Sequence, residues 1–465
     1  MRRQLYSLCM LVWATILMAS CLNSDDDVTY YDDAALTAFS LSGANMTRHT
    51  TSSLGEDSTY VEYSTEVSSC KFVIDQLKSL VYNVDSLPVG TDASKIICNF
   101  STKNNSYATL KSLTSDSLSF LSTSDTTDFS KPRVVTVISS SGLNRKDYTI
   151  TVNVHKESAD SFKWQQYPDC AAFSSLADLK SYFFGGDIIV MGTTGEKTRV
   201  FRTNASTGRT FSEEPSTLGA EAYRNVVVNK DVLYVLDGNT VKKTTDAKNY
   251  EVVAENVCIS KLVAASDNEI YGISEDNVLM ASADGCLTWK AEKMDSEAKY
   301  VPREDISFVC RDYKYINNAQ NVVLVGNRPA AASATDSLAV VWRKVVENDA
   351  DSEEGKWAYM NYDSSSKGPL KSLQGLTIVN HGDYILALGT KGIDGCKDEA
   401  FSAIYVSIDG GLTWSTVSGI DYPKGFDKSA GAMGVCADSE NYIWITLNNT
   451  GQVWRGRLNE VAWKQ

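Results

Sequence analysis

Residues 404–414 run Ile404-Tyr405-Val406-Ser407-Ile408-Asp409-Gly410-Gly411-Leu412-Thr413-Trp414, and their reading decides the fold. The residues up to Ser407 alternate as a strand does, Asp-Gly-Gly turns the chain, and Thr413-Trp414 opens the returning strand. An aspartate in such a turn accepts hydrogen bonds from nearby backbone N–H groups, while glycine supplies the positive φ that other residues resist. The tryptophan buries a large ring and pins the hairpin to the sheet beneath it.

The hairpin has sisters. Ser282-Ala283-Asp284-Gly285-Cys286-Leu287-Thr288-Trp289 repeats it with Cys286 at the second glycine. Asn204-Ala205-Ser206-Thr207-Gly208-Arg209-Thr210-Phe211 is a softened copy, in which Ser206 takes the place of the aspartate, and Thr244-Thr245-Asp246-Ala247-Lys248-Asn249-Tyr250 is softer still. Phe211, Tyr250 and Trp289 follow one another at equal steps of 39 residues. Repetition at this period marks stacked or radially repeated units, each about one four-stranded blade long. The pattern Ser407-x-Asp409-x-Gly411-x-Thr413-Trp414, with Ser282, Asp284, Thr288 and Trp289 as its second instance, resembles the Asp-box of sialidase-like and sortilin-like β-propellers. That resemblance implies a structural role for these residues, at turns opposite the usual ligand face.

From His155 onward, strand-like runs group into blades. The first includes Ile188–Met191 and Arg199–Arg202, and the second Val226–Val228, Val232–Leu236 and Thr240–Lys243. Glu269–Ile273 and Val278–Ser282 belong to the third, and Val322–Val325, Val340–Arg343 and Lys356–Met360 to the fourth. The fifth takes Tyr384–Leu388, Ile404–Ser407 and Thr413–Val417, and the sixth Tyr442–Leu447, Val453–Gly456 and Val461–Lys464. Phe162–Tyr167 is left over. It reads as an outer strand that closes the ring on the sixth blade, with a seventh blade as the alternative. The fold expected for residues 160–465 is therefore a six-bladed β-propeller.

Ahead of it, residues 35–157 show short strands separated by Ser/Thr/Asp/Asn-rich connections: Phe72–Ile74, Leu80–Tyr82, Ile96–Cys98, Val134–Ile138 and Tyr148–Val154. Leu87–Thr91 and the ending Tyr148–Val154 resemble the immunoglobulin-like domains near the start of many bacterial surface lipoproteins. An immunoglobulin-like β-sandwich serving as a spacer is the expectation. The whole chain is thus all-β.

Residues 1–21 read as an address. Arg2 and Arg3 precede a mostly apolar run, Leu5–Met18, too short to span a bilayer with conventional flanks. It ends Leu17-Met18-Ala19-Ser20-Cys21, which resembles a lipobox, so that cleavage would leave Cys21 to carry lipid. The acidic tether of residues 22–34, with Asp25–Asp27, resembles the signal that sends lipoproteins of Bacteroidota to the outer face of the outer membrane. The family likeness is to surface lipoproteins of that phylum with an immunoglobulin-like domain and an Asp-box propeller.

The 465 residues exceed what one core holds, and 43% hydrophobic content is ample for packed interiors. A formal charge of −14 and a pI near 4.8 argue against nucleic acid as a partner. Three histidines, His49, His155 and His381, lie far apart in sequence, so neither a zinc cluster nor a Ser-His-Asp set is indicated. No cysteine pair forms Cys-x-x-Cys; Cys70 and Cys98 are the one pair within a small domain worth testing as a disulfide. Sialidases need an Arg-Ile-Pro motif, which the chain lacks. Asp349, Asp351 and Glu353 offer spaced oxygens to Ca²⁺, yet without the spacing of a known loop, and read as a solvated acidic turn. Ser58, Ser86, Ser117, Thr126 and Ser337 stand in triplets that resemble the O-glycosylation sequon of Bacteroidota.

Long links on the face opposite the Asp-boxes mark invested sequence. They carry Tyr300, Arg303, Arg328, Tyr362, Asp394, Lys397, Tyr422 and Phe426, aromatics beside mixed charges that suit a sugar or a protein hot spot. These are the candidate ligand-binding residues, set over the fourth and fifth blades. The expected function is that of a surface lipoprotein that binds a glycan or a surface protein, without catalysis and without a cofactor. A glycoside hydrolase of the sialidase-like propeller type is the alternative.

Overall fold

The computed structural model describes residues 29–51, 57–159, 161–329, 337–348, 355–362, 368–393 and 395–463. Contacts divide the chain into two compact units, one ending at Ser158 and the other beginning at Ala159. The fold is all-β.

In the first unit, Leu36–Thr51 lies between Asp57–Ser64 and Thr91–Thr102 in a three-stranded sheet. A second sheet orders Phe72–Asp75, Leu80–Asn83, Arg145–Thr151, Arg133–Ile138, Tyr107–Lys111 and Leu118–Phe120. Its one parallel pair joins Leu80–Asn83 to Arg145–Thr151. Alternate residues of the two sheets fill a shared core, with Leu41, Ile96 and Cys98 from one and Val81, Val135, Val137, Tyr148 and Ile150 from the other. Cys70 and Cys98 are both free thiols, against the disulfide tested from sequence. Cys70 Sγ donates to the Asp85 carbonyl instead, and burial pushes the Cys98 thiol up to about 11.

Among the described residues, the second unit contains six four-stranded antiparallel sheets. Their first strands are Asp178–Phe184, Val226–Asn229, Ile259–Ala265, Glu304–Asp312, Thr377–His381 and Met433–Ala437. These strands touch one another in cyclic order, the sixth returning to the first, so they line the centre of a ring. Valine, leucine and isoleucine from facing sheets interlock between neighbours, as Val309, Val323 and Val341 do with Ile378 and Ile385.

The sixth sheet is built from both ends of the unit. Phe162–Tyr167 pairs with Val453–Leu458 as the outermost strand, beyond Ile443–Leu447 and Met433–Ala437. One expectation is corrected here: Val461 and its successors up to Trp463 lie in the helix Asn459–Trp463 rather than in a strand of this sheet, and Lys464 lies outside the described residues. The position beside Val453–Leu458 was already taken by Phe162–Tyr167.

Within such an up-and-down sheet, successive turns alternate between the two ends. The first and third turns of every sheet therefore share one face of the ring. The second turns and the links to the next sheet share the other, which sets the geometry of everything below.

Candidate functional site

The Asp hairpins occupy third turns. Ser407 Oγ donates to Asp409 Oδ1 (2.9 Å) and accepts from the Gly411 N–H (2.8 Å). Asp409 Oδ1 accepts from the amides of Leu412 and Thr413, and Oδ2 from the Thr413 hydroxyl at 2.6 Å. The Ser282 turn repeats this net bond for bond: Ser282 Oγ to Asp284 Oδ1, Cys286 N–H to Ser282 Oγ, then the Leu287 and Thr288 amides and the Thr288 hydroxyl to Asp284. Thr244 and Asp246 make a version one residue shorter, with Lys248 and Asn249 donating at 2.8 Å. In the first sheet the acceptor is Asn204 itself, which takes the Ser206 and Thr207 amides; Ser206 does not play the aspartate's part. Trp414 is buried and Trp289 half-buried. All these carboxylates are saturated by their own turns, which is structural work.

On the other face the first strands converge on a channel. A cavity of about 490 Å³ runs down the ring axis and is lined by residues of all six first strands. Lys180, third residue of its strand, reaches across it. Its Nζ donates to the Ile306 carbonyl at 2.9 Å, from the first sheet to the fourth, diametrically opposite in the cyclic order. That carbonyl is available because the fourth sheet's register slips between Glu304 and Ser307. At the slip Asp305 adopts φ +48, a left-handed conformation that a non-glycine residue holds only when its surroundings enforce it. Asn327 enforces it here, donating Nδ2 to Asp305 Oδ2 at 2.9 Å while its own carbonyl oxygen takes the Ser372 hydroxyl.

Charge gathers around this strut. Burial holds the Lys180 amine below its ordinary pKa, with Asp305 and Asp178 pulling it back up and Arg224 and Lys261 pushing it further down. Burial likewise pushes the Asp305 carboxyl up, against the Asn327 hydrogen bond and the Lys180 charge. Asp178 accepts from the Tyr223 hydroxyl (2.6 Å) and from Arg224 Nη2 (3.3 Å), and Arg224 also pairs with Glu221. Lys261 is held low by burial and by Arg224, with Glu221 and Glu304 opposing. Acids and bases from the first four sheets and their links thus gather around Lys180 and Arg224, which line the cavity. The far end is rich in amides: Asn229 donates to the Ser266 carbonyl and Asn380 to that of Cys310.

The structure redistributes the residues expected from the links. Tyr300 and Arg328 do come together: Tyr300 stacks on Tyr359 at 4.9 Å, Arg328 lies over Tyr300, and Arg328 Nη2 donates to the Tyr359 hydroxyl at 2.8 Å. Arg303 is exposed close to Lys261. Lys397 is exposed. Tyr422 and Phe426 are not surface aromatics. Phe426 is 7% exposed, both rings pack with Phe401, and the Tyr422 hydroxyl is committed to the Gly389 backbone. Their link folds inward because burying two aromatic rings removes a large apolar area from water. Tyr362 spends its hydroxyl on the Leu412 carbonyl, bracing the neighbouring Asp turn.

Asp394, Cys21, Asp349, Asp351 and Glu353 lie outside the described residues. Ser58, Ser117 and Thr126 are exposed, Ser86 and Ser337 partly buried. Among the described residues no three metal-ligating side chains gather, and no helix is long and apolar enough to cross a membrane.

Lys180, Lys261 and Asp305 escaped the sequence reading, which weighed link lengths. Each lies in the second or third place of a first strand, directly after a link, and in the Lys261 strand alone does the charge stand out against mostly apolar neighbours.

With this geometry in view, residues 158–465 match the DUF6242 beta propeller domain, and residues 39–152 the DUF6242 N-terminal domain. The chain belongs to the DUF6242 family. No curated protein matches it. Among solved structures, the DUF6242 chain is similar to a catalytically inactive virginiamycin B lyase from Staphylococcus aureus with quinupristin. Identity there is 11%, over 64% of this chain and 100% of that one, with a TM-score of 0.36. It is also similar to a Trichoderma reesei carbohydrate-active enzyme of family AA12 (9% identity, 64% and 96% coverage, TM-score 0.43). A third is YCF48 from Cyanidioschyzon merolae (15%, 63% and 98%, TM-score 0.32). At these identities the likeness concerns the fold alone.

Proposed function

We propose that this DUF6242 chain is a surface lipoprotein of Bacteroidota, anchored in the outer membrane through Cys21, that binds a glycan or a surface protein. Its N-terminal unit is an immunoglobulin-like spacer, and its propeller has six blades stapled by Asp-boxes. The observation that carries the binding role is the convergence of Lys180, Arg224, Lys261, Arg303 and the acids between them at one channel mouth. That mouth lies on the face away from the Asp turns. Mixed charges drawn from four sheets form a rim to which a polar partner fits by complementarity. On the fourth sheet and the link before it, the stack of Arg328, Tyr300 and Tyr359 adds a flat aromatic surface of the kind that sugars and interface hot spots use.

The test uses the chain with Cys21→Ser, applied to a glycan array and to pull-down from an outer-membrane fraction. The partner recovered is expected to lose at least tenfold in affinity on Arg303→Ala or Arg328→Ala at unchanged melting temperature. Equal binding by both variants places the site elsewhere. In cells, Cys21→Ser is expected to abolish palmitate labelling.

A further inference from the structure

We infer that the axial channel is itself a binding site for a small carboxylate with an apolar body, its acid group seated on Lys180. The cavity of about 490 Å³ falls within the range of pockets that hold small molecules. Below the charged mouth its wall carries an apolar component beside Ser181 and Ser307, with Val228, Val263, Ile306, Val379 and Val435 drawn from five of the six first strands. The apolar side chains there gain from contact with hydrocarbon, because the parts of the void they line forfeit contacts on one side.

Lys180 stands where that wall meets the mouth. An ammonium has three donors, and among the described residues the hydrogen bond made by this one is the contact with the Ile306 carbonyl. The two nearby acids are otherwise engaged. Asp178 is held by the Tyr223 hydroxyl and Arg224, and Asp305 by Asn327. A carboxylate entering beside the strut supplies a charged acceptor where only a neutral carbonyl now serves, and charge-assisted bonds are roughly twice as strong as neutral ones. A neutral polar head offers no such gain, so the site discriminates on charge as well as on fit. This inference concerns the channel interior. It shares Lys180 with the rim, but Val228 lies only in the channel and Arg303 and Arg328 only in the rim reading, so variants at those residues test the two readings separately.

Octanoate is the probe, with octanol, acetate and inorganic phosphate as comparisons, measured by calorimetry and by melting of the Cys21→Ser chain. Octanoate is expected to bind and to raise the melting temperature in a dose-dependent way. Octanol, acetate and phosphate are expected to bind at least tenfold more weakly. Lys180→Met is expected to remove the preference for octanoate over octanol. Should Lys180→Met fail to fold, Val228→Phe, which narrows the channel and leaves the amine in place, is expected to weaken octanoate at least tenfold. Octanol binding as tightly as octanoate overturns the proposal, as does phosphate alone matching it. Undiminished octanoate binding in Lys180→Met, or in Val228→Phe where that variant stands in, also overturns it.

Discussion

Lys344 and Glu292 meet at 2.5 Å with side chains only 2% and 1% exposed. They join the third strand of the fourth sheet, Val340–Glu347, to the residue that follows the last strand of the third, Lys290–Ala291. Glu292 also takes the Trp357 indole N–H at 3.0 Å. Lys344 reaches Glu269, whose carboxylate accepts from the Tyr271 hydroxyl. Two neighbouring blades are thus bolted by a buried, hydrogen-bonded ionic knot inside their shared apolar core.

Removing one partner from such a knot leaves a buried charge without compensation. Lys344→Met is expected to destabilise the propeller by about 3–5 kcal/mol. The double variant Lys344→Met/Glu292→Leu is expected to recover a large part of that loss, because the stranded carboxylate is gone. Urea unfolding of the two variants checks this. A double variant no better than the single one would show that packing, not charge, sets the cost.

The Asp turns make a second expectation. Trp414→Ala empties a buried ring site and is expected to cost about 3–5 kcal/mol. Asp409→Ala leaves the Leu412 and Thr413 amides without their acceptor and is expected to cost about 1–3 kcal/mol. Neither residue faces the channel mouth, so ligand binding by folded Asp409→Ala is expected to match the parent in calorimetry. Weaker binding at unchanged melting temperature would put the site on the wrong face.

Cys286 and Gly411 hold the same place in twin turns with φ of +76 and +91. At Gly411 a side chain is refused twice, by the conformation and by Val323, whose Cγ1 would lie 2.8 Å from an added Cβ. Gly411→Ala is therefore expected to destabilise by more than about 1 kcal/mol. At Cys286 the side chain is fully buried among apolar neighbours, and that packing offsets the strain of its φ. Cys286→Gly relieves strain of about 1 kcal/mol and loses packing of similar size, so its net effect is expected to stay within about 1 kcal/mol. A stabilisation of 2 kcal/mol or more would mean that the thiol contributes nothing.

These turns also show what the chain discloses before it folds. Ser407, Asp409, Gly411 and Thr413 are legible because the hydrogen-bond net is local: every partner lies within a few residues. Phe162–Tyr167 is legible as a strand by its alternation, and its place follows from there being no partner nearby in sequence. Asn204 misleads, since Asn and Asp serve equally as turn acceptors and the repeat allows either register. The channel mouth is illegible for a plainer reason. Lys180 meets Ile306 across 126 residues, and no local pattern says that a register slip at Asp305 will expose a carbonyl there. Tyr422 and Phe426 fail similarly, because whether a link's aromatics face water or core depends on neighbours far along the chain.

His381 yields the last expectation, on acid. It ends the first strand of the fifth sheet, is fully buried, stacks on Phe162 at 5.3 Å, and accepts the Leu458 N–H on Nε2 at 3.1 Å. Phe162 and Leu458 belong to the two strands that close the ring, so this imidazole sits on the seam. Burial pushes its pKa down to about 4, with the Asn441 backbone opposing and the Arg457 charge adding to the fall. The folded value is depressed, so the stabilisation is complete above the unfolded value near 6.5 and is lost as pH falls from there through 4. A shift of this size corresponds to about 3 kcal/mol at most. His381→Gln keeps a neutral acceptor for Leu458 and does not titrate. Between pH 6.5 and 4, the parent's propeller transition is expected to weaken by up to about 3 kcal/mol more than the variant's, as urea unfolding followed by tryptophan fluorescence would report. Parallel pH profiles for the two would mean that burial in the folded seam does not depress the His381 pKa.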